Sequence, residues 1–256
     1  YFGPVRLTVR KSDLAGTLFE GHKELKVVLP CQIGTLSEDY VLKEYLAYKL
    51  FEVVSPYHYR TRLADIAFTE LKGRRERTHQ LKGFLIEDHG TLARRLGGRR
   101  MRRNMPAQMQ DPYYSVVNNL FQYAIGNTDF SLRIQHNQRL YYIESRYFCI
   151  PYDFDMAGLV NASYATVSNA QTLKKPVYEV TDRAYKGYVR DSALVQQVRR
   201  EFLRARPQMM QELQVLEPLF GEPRQYAEAE AYLQRFFEIL EDDRKFDREI
   251  LGYMRE

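Results

Sequence analysis

The stretch from Thr35 to Ser55, TLSEDYVLKEYLAYKLFEVVS, constrains the fold more than any other part of this chain. Thr35 followed by Glu38 reads as a capping box, and Pro56 closes the far end, so the spacing predicts a helix over 35–55. Val41, Glu44, Tyr48 and Phe51 form one stripe, and Leu42, Tyr45, Leu46, Leu50 and Val53 occupy the neighbouring faces. A helix apolar nearly all round is a buried helix, and it carries Glu44 inside with it. A buried carboxylate without a partner is protonated or destabilising. The nearest cation by chain order is Lys26, within ELKVVL on the preceding strand; the alternative is that Lys43 and Lys49 solvate that side of the helix.

Around this helix the pattern is β-rich. PVRLTV (4–9) alternates, and KELKVVLP (23–30) is a β-branched run ended by proline. YRTRLADIAFTE (59–70), a turn at GRRERT (73–78) and HQLKGFLIED (79–88) read as a hairpin. Residues 1–90 therefore predict β-β-α-β-β, a small sheet with one long helix against it. Farther on, apolar residues at 116, 117, 120, 121, 124 and 125 predict a buried helix over 112–125. GNTDFSLRIQHN (126–137) is a polar loop, RLYYIES (139–145) and YFCIPYDFD (147–155) a strand pair, and 190–206 and 226–256 are helical. The expected organisation is α+β and bilobal: a β-rich first lobe over 1–90 and a mainly helical second lobe over 91–256. Small-molecule and nucleotide sites tend to form in clefts between such lobes.

Composition narrows the partners. The 256 residues carry a net charge of +5, which suits an anionic ligand without naming one. Much of the excess lies in RRLGGRRMRRN, at Arg94, Arg95, Arg99, Arg100, Arg102 and Arg103. That run reads as a solvated loop, with phosphate or nucleic-acid contact as the sharper alternative; no interleaved aromatics or zinc-finger spacing support nucleic acid. Cys31 and Cys149 alone rule out a disulfide framework and a cysteine metal site, and the expectation is two buried free thiols, with a single bridge between them as the alternative. The five histidines show no paired spacing for zinc. No window approaches about eighteen consecutive apolar residues, so no membrane span is expected. The chain opens on Tyr1, which reads as a trimmed or processed form.

Three places could carry chemistry. Lys26 either snorkels from a sheet edge or points into a cleft to meet phosphate oxygens. The 126–137 loop holds Asn127, Asp129, His136 and Asn137; turn formation alone accounts for such residues, but phosphoryl transfer also uses an aspartate to orient a hydroxyl and a downstream amide to bind magnesium. In YDFD, strand alternation would put Asp153 and Asp155 on one face, where two carboxylates need a cation between them. Mg²⁺ is bound in that manner, by one or two carboxylates with phosphates and water.

Taken in order, a strand lysine, a helix glutamate, an Asp/Asn loop and an aspartate at a hairpin end follow the order of parts in protein-kinase-like folds. The second half resembles the spore coat protein H (CotH) and HipA-type atypical kinases. GTLFEG, LKEYLAYKLFEV, LFQYAIGNTDFS, HN and PYDFDMAGLVNASYA are more closely similar to a set of exported bacterial proteins related to that group, over roughly 5–190. The resemblance implies a kinase using ATP and Mg²⁺ (or Mn²⁺). Asp129 would be the catalytic-loop aspartate, and Asn137, Asp153 and Asp155 the metal ligands. Lys26 and Glu44 would be the phosphate-anchoring pair. It also leans towards an extracytoplasmic location. The acceptor would be a hydroxyl on a protein or small molecule, with nucleic acid not expected as partner. Two departures stand out: Asn137 lies eight residues after Asp129, and LAGTLFEGHKE offers only Gly16 and Gly21 in place of a glycine-rich loop. Lys23 accordingly rivals Lys26, and Asp153 and Asp155 could exchange primacy. The same parts would also serve a nucleotidyl transferase placing AMP on a target, or a non-catalytic pseudokinase.

Overall fold

A computed structural model describes residues 5–131, 133–167 and 173–256. Pro4, at the start of the first predicted strand, and Leu132, in the predicted loop, lie outside them. The fold is mixed α+β. Strands β1 (Val5–Thr8), β2 (Glu24–Val28), β3 (Thr61–Lys72) and β4 (Arg75–Glu87) form an antiparallel sheet in the order β1-β2-β4-β3. Between β1 and β2 lies a short helix, α1 (Lys11–Leu14), and between β2 and β3 the long helix α2 (Thr35–Val54).

Helix α2 is buried as its all-round apolar pattern requires: Leu42, Leu46, Ala47 and Leu50 are fully covered. Its start differs from the expected capping box. Gly34 is the N-cap, so Thr35 is already helical, and Glu38 instead accepts the Lys82 N–H at 3.5 Å. Lys43 does not solvate Glu44's side. It is 1% exposed, with Nζ donating to Gln225 Oε1 at 2.7 Å and lying over the Tyr40 ring. The β3–β4 hairpin also turns more tightly than predicted. Lys72 pairs with Arg75, so the turn is only Gly73–Arg74, and RERT extends β4. Gly73 takes φ +64°, which suits the first position of a two-residue hairpin turn.

After β4 come α3 (His89–Arg95), β5 (Arg99–Arg100), α4 (Pro112–Ala124), β6 (Gln138–Ile143) and β7 (Arg146–Pro151), the last two forming a hairpin that β5 extends at its β6 edge. Asp88 caps α3 by accepting the Gly90 N–H at 2.7 Å, and Asp111 caps α4 at Tyr114 N. The arginine run is therefore not the single solvated loop expected. Arg94 and Arg95 are helical, and Arg95 grips the buried Glu87 through Nε at 2.9 Å and Nη2 at 2.7 Å. Arg99 and Arg100 pair with Tyr142 and Tyr141, leaving Arg102 and Arg103 exposed in a loop.

Helices α5 (Ser192–Leu216), α6 (Pro223–Glu241) and α7 (Asp243–Glu249) complete the chain's helical half. Pro207 sits inside α5, nine residues before its end at Leu216, although a proline there costs a hydrogen bond. Burial of Met209, Leu213 and Leu216 beyond it offsets that loss. The predicted helix over 226–256 is broken at Asp242, whose side chain accepts the Lys245 N–H and caps α7. The predicted division near residue 90 falls where β4 hands over to α3, yet the core crosses it. Tyr48 and Phe51 of α2 stack on Phe154 and Phe121, each with ring centroids 4.7 Å apart. Both cysteines are free thiols, but half-buried rather than buried, and among the described residues no helix is long and apolar enough to cross a membrane.

Candidate functional site

Lys26, on the middle of β2, reaches across the molecule to Asp153, with Nζ 3.0 Å from Oδ1. Strand β7 ends at Pro151, and Asp153 adopts φ +67°. The strand alternation expected for YDFD is thus wrong: the chain has turned before Asp153. Asp153 and Asp155 nevertheless border one recess, because the buried Phe154 pins the turn between them against Tyr48 and Phe121. The Tyr48 hydroxyl accepts the Asp153 N–H at 2.9 Å and fixes its backbone.

Glu44 faces this turn from α2. Its predicted ion pair with Lys26 is not formed, since Lys26 bonds Asp153 instead. Burial first, then the charges of Asp155 and Asp153, push its carboxyl well above the usual range; Lys26 and the Phe154 N–H only partly counter them. Asp155 is raised too, by burial and then by Asp153, with a smaller contribution from Asp129. Lys26 shows the converse: burial works against its charge, but Asp153, Glu44 and Asp155 hold it above its ordinary value. Lys23 is exposed, whereas Lys26 lines the recesses on both sides.

The site is therefore short of positive charge. Among the described residues no three acidic, histidine or cysteine side chains form a metal cage unaided. The donors present fit a hard divalent cation that takes one or two carboxylates and completes its shell with phosphate and water oxygens. Asp153, Asp155 and the Asn137 amide oxygen are the groups that would hold it.

Asp129 is held from three sides. Asn127 Oδ1 accepts its N–H at 2.9 Å, an Asx turn that is itself tied to Gln122. His136 Nε2 donates to Oδ1 at 3.0 Å, and Asn137 Nδ2 donates to Oδ2 at 2.9 Å and to the backbone carbonyl at 2.7 Å. Asn137 takes φ +52°, a conformation asparagine tolerates. With its nitrogen bound to Asp129, its oxygen is the end left to face a cation. The eight-residue spacing is accommodated by a loop that doubles back, with Ser131 N bonding His136 O.

Sequence reasoning missed Lys186. It is 3% exposed, and Nζ donates to Thr128 O at 3.0 Å and Phe130 O at 2.5 Å, on either side of Asp129. Burial lowers its pKa to about 8. Lys186 stands fifty-eight residues from Thr128 in an aperiodic stretch, so no motif or spacing could have found it.

Beside Lys26, on the side of the β4–α3 junction, lies a pocket of about 130 Å³ lined by Leu25, Ile86, Tyr59, Tyr152 and Glu87–His89. Tyr59 Oη bonds His89 Nδ1 and Tyr141 Oη, each at 2.8 Å, which stiffens the pocket wall. Across Lys26 is the acid-lined recess of about 230 Å³, with Glu44, Asp153 and Asp155. No family model and no curated protein matches this chain.

Proposed function

We propose that this protein is a kinase-like phosphotransferase of bilobal fold, moving the γ-phosphate of ATP to a hydroxyl acceptor with Mg²⁺ or Mn²⁺. One observation carries the reading: Lys26, Glu44, Asp153 and Asp155, from β2, α2 and the turn after β7, meet as one lysine among excess carboxylates beside a braced Asp129. A purine suits the pocket at Tyr152 and the β4–α3 junction, which is sized for a planar ring rather than a whole nucleotide. Lys26 then meets the phosphate oxygens. Asp129 orients the acceptor hydroxyl and takes its proton as the oxygen attacks γ-phosphorus; the bond to ADP breaks and ADP leaves with the electron pair. When bound, the divalent cation neutralises charge on the phosphates. His136 and Asn137 keep the Asp129 carboxylate aimed, and Glu44 props the Asp153–Asp155 turn through the Phe154 N–H.

The test is binding and turnover. Mg-ATP raises the melting temperature of the wild type, ATP with EDTA does not, and Asp153→Asn loses both the shift and ADP formation. A variant that binds and turns over Mg-ATP like the wild type would refute the assignment. The mass added to an acceptor separates phosphoryl from AMP transfer.

Lys186 acts as a positioning residue. Lys186→Met is expected to lower kcat about tenfold or more while KM for ATP holds, since a misplaced base loses alignment rather than binding. Hydrogen exchange at residues 128–130 should speed up in parallel. Unchanged exchange and kcat would show that the lysine only fills space.

A further inference from the structure

Next to the Asp129 loop is a further recess, of about 430 Å³, that the nucleotide reading leaves unused. Its lining is wholly polar: Arg100, Arg102, Asn104, Gln135 and Arg139. Gln135 and Arg139 flank His136 and Asn137 in the chain, and those two residues hold the Asp129 carboxylate. The recess thus borders the point where an acceptor hydroxyl would arrive.

Among the described residues the three guanidiniums form no ion pair. Arginine ion pairs among the described residues involve Arg6, Arg95, Arg146, Arg199, Arg206, Arg224 and Arg248, and none of these lines the recess. Arg139 lies with its guanidinium carbon 4.9 Å from the Tyr152 ring centroid, with Nη1 donating to Gln135 O at 2.5 Å. Its Nε is buried with no partner. Asp88, the acid on that side, already accepts from Gly90 N, and Asp129 from His136 and Asn137. The uncompensated charge is felt at His89, whose imidazole is held down to about 4 by burial and then by Arg139 and Arg100.

We infer that this recess binds a phosphate group carried by the acceptor, so that the substrate is a phosphorylated molecule with a free hydroxyl. A single carboxylate would leave two of the three arginines unpaired. A phosphate monoester brings a charge of about −1.5 to −2 and three acceptor oxygens, and suits the bidentate geometry of guanidinium. The Asn104 amide offers a neutral donor, Gln135 Nε2 keeps one N–H beyond the one it gives to Arg103 O at 3.3 Å, and the volume leaves room for what the phosphate is attached to. As a statement about the acceptor, this rests on the kinase reading; as a statement about a phosphate site, it does not.

The experiment is a calorimetric titration of the full chain, free of nucleotide, with inorganic phosphate and with acetate. Phosphate is expected to bind more tightly than acetate. Arg100→Glu combined with Arg102→Glu should weaken it about tenfold or more, as expected on losing charge-assisted hydrogen bonds. Lys26→Ala should leave it unchanged. Should the double variant not fold, Arg102→Gln, in an exposed loop, serves in its place. Phosphate affinity indifferent to the arginines, equal to that of acetate, or lost in Lys26→Ala would overturn the site, the last because the ion then sits with Lys26. A parallel titration with Mg-ATP keeps the two readings apart. Arginine-dependent phosphate binding without Mg-ATP binding upholds the recess and removes the kinase assignment. Mg-ATP binding with no arginine-dependent phosphate binding does the reverse.

Discussion

Asp129→Asn is expected to lower kcat by about 10²–10⁴-fold, the usual worth of a positioned general base, while leaving KM for ATP in place. The substitution is close to isosteric, and the Asx turn from Asn127 bonds the backbone N–H, so the loop keeps its shape. What is lost is the acceptor for the hydroxyl proton. Two neighbours report on the same group. His136 Nε2 and Asn137 Nδ2 both donate to the carboxylate, and an amide at position 129 cannot accept from both through equivalent oxygens. Initial rates of ADP formation with saturating acceptor check the effect. A fall of less than about tenfold would mean that Asp129 only shapes the loop.

The second large effect is on stability. Gly126→Ala is expected to cost about 2–5 kcal/mol: about 1–2 from the left-handed backbone and about 1–3 from overpacking. Gly126 has φ +63°, and a Cβ there would stand 1.9 Å from Tyr232 Oη. Tyr232 cannot step aside. It is 4% exposed, its hydroxyl donates to Thr181 O at 3.1 Å, and the Arg183 guanidinium lies 3.7 Å over its ring. Arg183 is itself tied to Tyr123 O and Tyr232 O. Gly73→Ala is the control, with φ +64° but nothing near the new methyl, so it carries the backbone strain alone. Urea midpoints should fall much further for Gly126→Ala, and adding Tyr232→Phe should recover part of the loss. Equal losses at the two glycines would remove the steric argument.

Several features were legible in the chain because they rest on local periodicity. Helix α2 and its burial follow from side chains that are apolar on nearly every face, and α4 from apolar positions recurring at helical spacing. The 79–88 strand was found as well, although the tight turn at Gly73–Arg74 was read too long, since GRRERT is polar throughout and only the β3–β4 pairing shows that RERT extends the ladder. The helix expected over 190–206 is longer in the structure, running on past Pro207 to Leu216. That proline reads locally as a stop, but α5 runs through it because the residues beyond are buried against α2 and the rest of the core.

For the candidate site, residue type and order marked Lys26 and Glu44 as charges on apolar elements, Asp129 and Asn137 in the polar loop after α4, and Asp153 and Asp155 where the last strand runs out. Which of them touch was beyond any pattern. Lys26 bonds Asp153, 127 residues away, rather than Glu44, because β7 stops at Pro151 and the left-handed turn at Asp153 swings its carboxylate towards β2. Lys186 was invisible for the same reason, and of the recess the arginine run marked Arg100 and Arg102 but not their meeting with Gln135 and Arg139, which share no period with them. The chain by itself determined the long helices α2 and α4, the main strands of the sheet, and which charged groups are carried inside with them, because those follow from neighbours one to four residues apart. Only the tertiary structure decided the pairing of those charges, since a carboxylate buried at one point of the chain takes its partner from whatever distant segment the packing of Phe154, Tyr48 and Phe121 brings beside it.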